Sequence, residues 1–189
     1  FFEENRKTYL NNLKNILAGL DENSLIVLEG GKEIPKYDND MISFYFQQEA
    51  SFYYLTGVLE PECYAVIDIK NQSLMIYIHL STDEKDNIFM HVPSLEELKD
   101  KYHVDFKRVE SFYDDLKLRN PNKIYVLNGV NSDSGRFVQS AHLEFPDSMK
   151  DWDKKIDNNQ YIYEILADTR TRKTKQEIEL LKFICKSTT

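Results

Sequence analysis

The stretch from Phe46 to His79, FQQEASFYYLTGVLEPECYAVIDIKNQSLMIYIH, decides how this chain folds. Ser51-Phe-Tyr-Tyr-Leu-Thr-Gly57 reads as an aromatic-rich helical turn closed by a glycine, which enters the left-handed region at no steric cost. Val58-Leu-Glu-Pro-Glu62 has the proline and charge of a surface turn. Two β-type runs follow, Cys63–Ile69 and Leu74–His79, joined by the polar loop Lys70-Asn-Gln-Ser73. Side chains alternate across a strand, so Tyr64, Val66 and Asp68 fall on one face and Ala65, Ile67 and Ile69 on the other. Helix, turn and hairpin in this order form the centre of a sheet around which the remaining segments pack.

Upstream, Asn5 to Leu20 carries Tyr9, Leu10, Leu13, Ile16, Leu17 and Leu20 at helical spacing, which predicts an amphipathic helix. Leu25-Ile-Val-Leu28 is a continuous apolar run and predicts a strand buried on both faces, ended by Glu29-Gly-Gly31. Tyr37-Asp-Asn-Asp40 is turn-like and leads into the aromatic run Phe44-Tyr-Phe46.

Downstream, Ser94-Leu-Glu-Glu97 has the pattern of a capping box and opens a helix to about Tyr102. A strand is expected over Phe106–Val109, and a helix over Ser111–Arg119 with Phe112, Leu116 and Leu118 inward, stopped at Asn120-Pro121. Lys123–Leu127 reads as a strand and Gly129–Gly135 as a loop of turn formers, while Arg136–Phe145 fits either class. Helices are expected over Asp157–Ala167, with Tyr161, Ile162, Ile165 and Leu166 on one face, and over Thr174–Cys185. Helices and strands alternate around an internal hairpin, so the fold class is α/β with a mixed β-sheet and a central hairpin flanked by helices.

The totals bound the partners. With 189 residues and a net charge of −8, the chain suits one domain with a tail and lacks the concentrated Lys and Arg that phosphate binding needs, so no nucleic acid is expected. No apolar run is long enough to span a bilayer, so no membrane partner is expected. Cys63 and Cys185 sit in apolar surroundings and read as buried free thiols, which fits a reducing cytoplasm. The first residues lack a starting Met and a leader pattern, so the chain reads as a piece of a longer one.

Chemistry is hard to find. His79, His91, His103 and His142 form no H-E-x-x-H pair and stand beside no cysteine pair. Asp38 and Asp40 flank Asn39 without the glycine and distal glutamate of a calcium loop. No nucleophile elbow occurs, Cys63 opens an apolar strand where a thiolate is disfavoured, and Gly30-Gly31 is no phosphate loop. The residues by themselves predict no catalytic and no metal constellation.

The order of motifs carries more than any one of them. Leu28-Glu-Gly-Gly31, Phe46-Gln-Gln-Glu49, Phe52-Tyr-Tyr-Leu-Thr-Gly57, Glu60-Pro-Glu-Cys-Tyr-Ala-Val-Ile-Asp68 and Gly129-Val-Asn-Ser-Asp-Ser-Gly135 resemble, in sequence, the amino-terminal domain of the prolidase family of Xaa-Pro dipeptidases. Glu164 to Leu181 resembles the segment that joins that domain to the catalytic one. The resemblance implies residues 1–168 as a non-catalytic α/β domain of the aminopeptidase P and creatinase type. Residues 169–189 become the linker and first helix of a pita-bread catalytic domain lying beyond this chain. In that family two Asp, one His and two Glu hold two manganese ions that activate a bridging water; all five ligands lie past Thr189, so no cofactor is expected here. A cytoplasmic homodimer acting on Xaa-Pro dipeptides is implied, with this domain contributing dimer contacts and closure of the substrate site.

The resemblance also names residues. The family commonly places a Trp in the loop after the hairpin, reaching an active site across the dimer; that position falls at Ile88 or Phe89, and the chain's only Trp is Trp152. Aminopeptidase P members carry an active-site Asp before a Phe-Arg-Gln motif. Asp40 is its nearest counterpart, next to Met41, which alignment sets opposite, and Gln47 stands where the Arg is common. Two other readings share the fold: the amino-terminal domain of an aminopeptidase P, and a stand-alone binding or scaffold module.

Overall fold

The computed structural model describes residues 20–37, 39–81, 91–139, 143–157, 159–171 and 173–187, without the side chains of 39–42. The helix expected over Asn5–Leu20 lies outside these residues, apart from its last one. In chain order the strands are β1 (Ser24–Glu29), β2 (Pro35–Lys36), β3 (Asn39–Ser43), β4 (Cys63–Asp68), β5 (Ser73–Ile78), β6 (Asp105–Arg108), β7 (Lys123–Val126), β8 (Asn128–Val130), β9 (Phe137–Gln139) and β10 (Ile156–Asp157). The helices are α1 (Ala50–Thr56), α2 (Leu95–Tyr102), α3 (Phe112–Arg119), α4 (Tyr161–Thr171) and α5 (Lys175–Ser187), with 3-10 turns at Val109–Ser111 and Asp147–Lys155.

The main sheet has six strands in the order β10-β7-β1-β4-β5-β6. It is mixed: β10, β7 and β1 run parallel, β4 is antiparallel to β1 and β5, and β6 is parallel to β5. Every residue of β1 is buried, because the strand is paired on both edges and covered on both faces. Ile26 and Leu28 join one core with Ala65, Ile67, Ile76, Phe52, Leu98 and Ile162. Leu25 and Val27 join the other with Val66, Tyr77, Phe112, Leu116 and Met149. Helices α1, α2 and α4 therefore cover one face, and α3 with the second 3-10 turn covers the other.

The hairpin takes the expected alternation. Cys63 faces Ile78 and Asp68 faces Ser73 across the β4–β5 ladder. Its turn is closed by the Asp68 carboxylate, which accepts from the Asn71 N–H at 2.9 Å, while Gln72 takes the left-handed conformation at φ 52°. At the other end, Glu49 caps α1 by accepting from the Phe52 N–H at 2.6 Å, and Gly57 closes it at φ 70°. Ser94 and Glu97 form the reciprocal capping box of α2. His103 and Asn120 take the left-handed caps of α2 and α3 without being glycine.

Three burial expectations change. Leu118 is 86% exposed on α3, because Phe112 and Leu116, four apart, already define the inward stripe and Leu118 is rotated away from it. Tyr161 is 44% exposed at the first turn of α4, whose buried face is Ile162, Ile165, Leu166 and Thr169. Cys185 is exposed, since none of α5 is buried against the described residues; Cys63 is buried as expected. The segment that fitted either class contains β9, which pairs with β8 as a small separate hairpin.

Ile67 is 3% exposed in the middle of β4. Ile67→Ala is expected to lower unfolding stability by roughly 2–5 kcal/mol. Urea unfolding measures it, and a loss under about 0.5 kcal/mol would mean that this core is misplaced.

Candidate functional site

Most of the motifs that stood out in sequence meet at one end of the strands, where β1, β5 and β6 end and β4 begins. Their centre is the Gln48 side chain, 9% exposed as a residue. Its Oε1 accepts from the N–H groups of Gly31 and Glu49, at 2.5 and 2.9 Å. Its Nε2 donates to the carbonyls of Val58 and Glu60, at 3.2 and 2.9 Å. One amide thus ties together the end of β1, the start of α1 and the turn before β4. Close approach requires the glycine at 31 and leaves little room for a side chain at 30. A Cβ on Gly31 would come within 2.9 Å of the Gln47 carbonyl, and one on Gly30 within 3.0 Å of Gln48 Oε1. Gly30 also donates to the Cys63 carbonyl at 2.7 Å, and Glu62 donates to the Gly31 carbonyl at 2.9 Å.

Two open clefts flank this junction. The first, about 230 Å³, is lined by Glu29, Lys32, Glu62, Tyr64, His79 and Val109. Within it Lys32 Nζ lies 3.0 Å from Glu29, and the Tyr64 phenol stands near the same carboxylate. Burial and the nearby Glu29 charge raise the Tyr64 phenol above its ordinary range. The second cleft, about 350 Å³, is lined by Glu60, His91, Pro93, Glu97, Leu98 and Lys101. There Glu60 accepts from Lys101 Nζ at 2.8 Å and from the Tyr102 hydroxyl at 2.7 Å. Burial opposes the charge on Glu60, but these two hydrogen bonds outweigh it and hold the carboxyl below its ordinary value.

Neither cleft contains an activated nucleophile. Burial pushes the Cys63 thiol up to about 12, with Glu60 and Glu62 adding to the effect, so a thiolate is strongly disfavoured at neutral pH. Among the described residues no three His, Cys, Asp or Glu side chains converge to hold a metal ion, so these residues do not fit a manganese site. Nor is any helix among them long and apolar enough to cross a membrane. Asp40 lies within β3, in the small hairpin with β2, and its side chain is outside the description. Ile88 and Phe89 lie outside the described residues altogether. Nothing in the sequence marks Gln48 as a clamp, because all four of its partners are backbone groups. The Glu60–Lys101–Tyr102 cluster is equally silent in the sequence, since Lys101 and Tyr102 lie 41 and 42 positions from Glu60 and leave no local pattern.

Two variants test this junction. Gln48→Leu keeps the volume but strips partners from two N–H groups and two carbonyls. At about 1–3 kcal/mol for each buried group left unpaired, a total loss above roughly 3 kcal/mol is expected in urea unfolding. Glu60→Gln tests the carboxyl. A group held lower in the folded than in the unfolded chain adds stability that is whole above its unfolded value and disappears as pH falls through the folded one. The stability gap between parent and Glu60→Gln should therefore be constant near neutrality and close below pH 4.5, the ordinary glutamate value. Unfolding titrations across that range measure it; a gap unchanged down to about pH 3 would exclude the carboxyl as its source.

Comparison with known proteins agrees with the geometry. The family model described as "Aminopeptidase P, N-terminal domain" matches residues 2–126. The Xaa-Pro dipeptidase of Mus musculus is 32% identical over 161 residues, covering 85% of this chain and 31% of the mouse protein. That of Homo sapiens is 30% identical over the same length. The chain therefore spans about a third of these curated relatives. Among solved structures, a presumptive aminopeptidase P from Bacillus anthracis superposes with a TM-score of 0.65 over 96% of this chain and 42% of its own, at 19% identity. The aminopeptidase PepP of Pseudomonas aeruginosa gives 0.51 over 68% of this chain and 30% of its own, also at 19% identity, a likeness of fold. With a family match over most of its length and a mixed sheet bounded by the same motifs, this chain belongs to the aminopeptidase P amino-terminal domain family.

Proposed function

We propose that this chain is the amino-terminal, non-catalytic part of a Xaa-Pro dipeptidase, acting within a cytoplasmic homodimer whose catalytic portion holds the manganese pair. The observation that carries the reading is helix α5. It presents Ile178, Leu180, Leu181, Phe183 and Ile184 to solvent, each between 41% and 67% exposed, with no residue buried. Its start is well made, with Thr174 and Glu177 exchanging capping hydrogen bonds. A capped helix with that much open apolar surface is built to be covered, and two-thirds of the length of the matched relatives has no counterpart in this chain. On this reading residues 169–189 are the linker and the first helix of the catalytic domain.

The dipeptidase reading is favoured over the aminopeptidase one by extent. The dipeptidases match 85% of the chain, while probable Xaa-Pro aminopeptidases of Penicillium rubens and Pyrenophora tritici-repentis match 57% and 69% of it. A stand-alone scaffold module leaves α5 without a purpose. Within the dimer, Phe89 or Ile88 is assigned to closing the partner's substrate site, where an apolar side chain excludes water from the reacting centre. Asp40 is assigned to the same region.

The purified chain should show no hydrolysis of Xaa-Pro dipeptides with added manganese; turnover that follows the chain through purification would overturn the non-catalytic reading. Phe183→Ser, on the open face of α5, should change the unfolding stability of the chain by less than about 0.5 kcal/mol. The same substitution in the full-length protein should cost roughly 2 kcal/mol or more if the helix is covered there.

A further inference from the structure

The first cleft contains a pair whose two members are held very differently. The Glu29 side chain is 9% exposed and is paired with Lys32, with Tyr64 beside it in the cleft. The Lys32 side chain is 62% exposed and reaches the carboxylate from three residues further along the chain. An exposed lysine in such a pair gives up side-chain entropy for a small net gain, so its ammonium exchanges readily with another. Glu62 stands at the same cleft, fixed by its N–H bond to Gly31 and by a backbone held at φ 53°. The charges of Glu29 and Glu62 both act on the Lys32 ammonium, Glu29 the more strongly. The half-buried Tyr64 ring and Val109 supply an apolar wall, and His79 lies at the rim. The volume of about 230 Å³ leaves room for more than the Lys32 ammonium group.

We propose that this cleft binds the primary ammonium group of a peptide, and that Lys32 is a built-in occupant which the incoming ammonium displaces. The shared chemistry is an –NH₃⁺ with three donors set between Glu29 and Glu62, its carbon chain lying against Tyr64. Two sources offer it, a peptide α-amino terminus or a lysine side chain. No bond is made or broken, and the site does not depend on the Xaa-Pro reading.

The test is an amide NMR titration of the full chain with glycylglycine amide, with N-acetyl-lysine methylamide, and with N-acetyl-norleucine methylamide as the uncharged control. Saturable shifts are expected at Glu62, Tyr64 and His79 for at least one charged probe, and whichever binds more tightly identifies the source. Lys32→Met should tighten that binding by about threefold or more, because the competing occupant is gone. Glu29→Gln should weaken it by about tenfold or more, through loss of a charged hydrogen bond. Glu62→Gln, at an exposed position, should weaken it measurably and serves as the arm that does not risk the fold. The proposal fails if Lys32→Met shows no saturable shift at these amides. It fails equally if norleucine binds as well as lysine, or if neither carboxylate substitution weakens binding.

Discussion

Strand β1 is the constraint on which the rest of the molecule depends. It must satisfy four neighbours at once: β4 on one edge, β7 on the other, and a core above and below. A strand in that position keeps charge out of its middle, which is why Leu25-Ile-Val-Leu28 is continuous and why its one charged residue, Glu29, comes last. The polar machinery of the domain begins where that burial ends. Gly30, Gly31 and the Gln48 amide follow within a few ångströms, and both clefts open there.

Most of the architecture could be read from local pattern. The hairpin was legible because alternation, a polar loop and β-branched residues all agreed, and the α2 capping box because its two members stand three apart. Leu118 shows where local pattern misleads. On an eight-residue helix, a third apolar residue near the C-terminus is decided by which face the sheet presents, and only tertiary packing holds that information. Cys185 and Tyr161 went astray for the same reason: apolar neighbours in sequence do not guarantee a covering surface in space.

The candidate site was less legible than the fold. Its motifs were visible as a set, yet the roles of their residues were not, because Gln48 works on backbone groups at Gly31, Val58 and Glu60 that any sequence would supply. Backbone partners leave no trace in residue identity. Charged partners leave one only when they are close in the chain, as Glu29 and Lys32 are and Glu60 and Lys101 are not. The residues singled out by resemblance add nothing to that reading, because Ile88, Phe89 and the Asp40 side chain lie outside the described residues.

The parallel pairing of β1 with β7 also fixes the order in which the chain becomes safe from aggregation. Ser24 sits beside Lys123, and the Asn23 carbonyl receives the Asn122 N–H at 2.8 Å, so the two strands meet only after nearly a hundred intervening residues exist. At a synthesis rate of about 5–20 residues per second, several seconds separate the emergence of the first strand from that of its partner. Through that interval the hairpin can pair with one edge of β1, while the other edge stays open with apolar side chains on both faces. An open, uncharged strand edge is a template for other nascent chains, and closing so long a loop is intrinsically slow. The feature that makes the finished sheet stable therefore makes its birth the most vulnerable moment in the life of the domain.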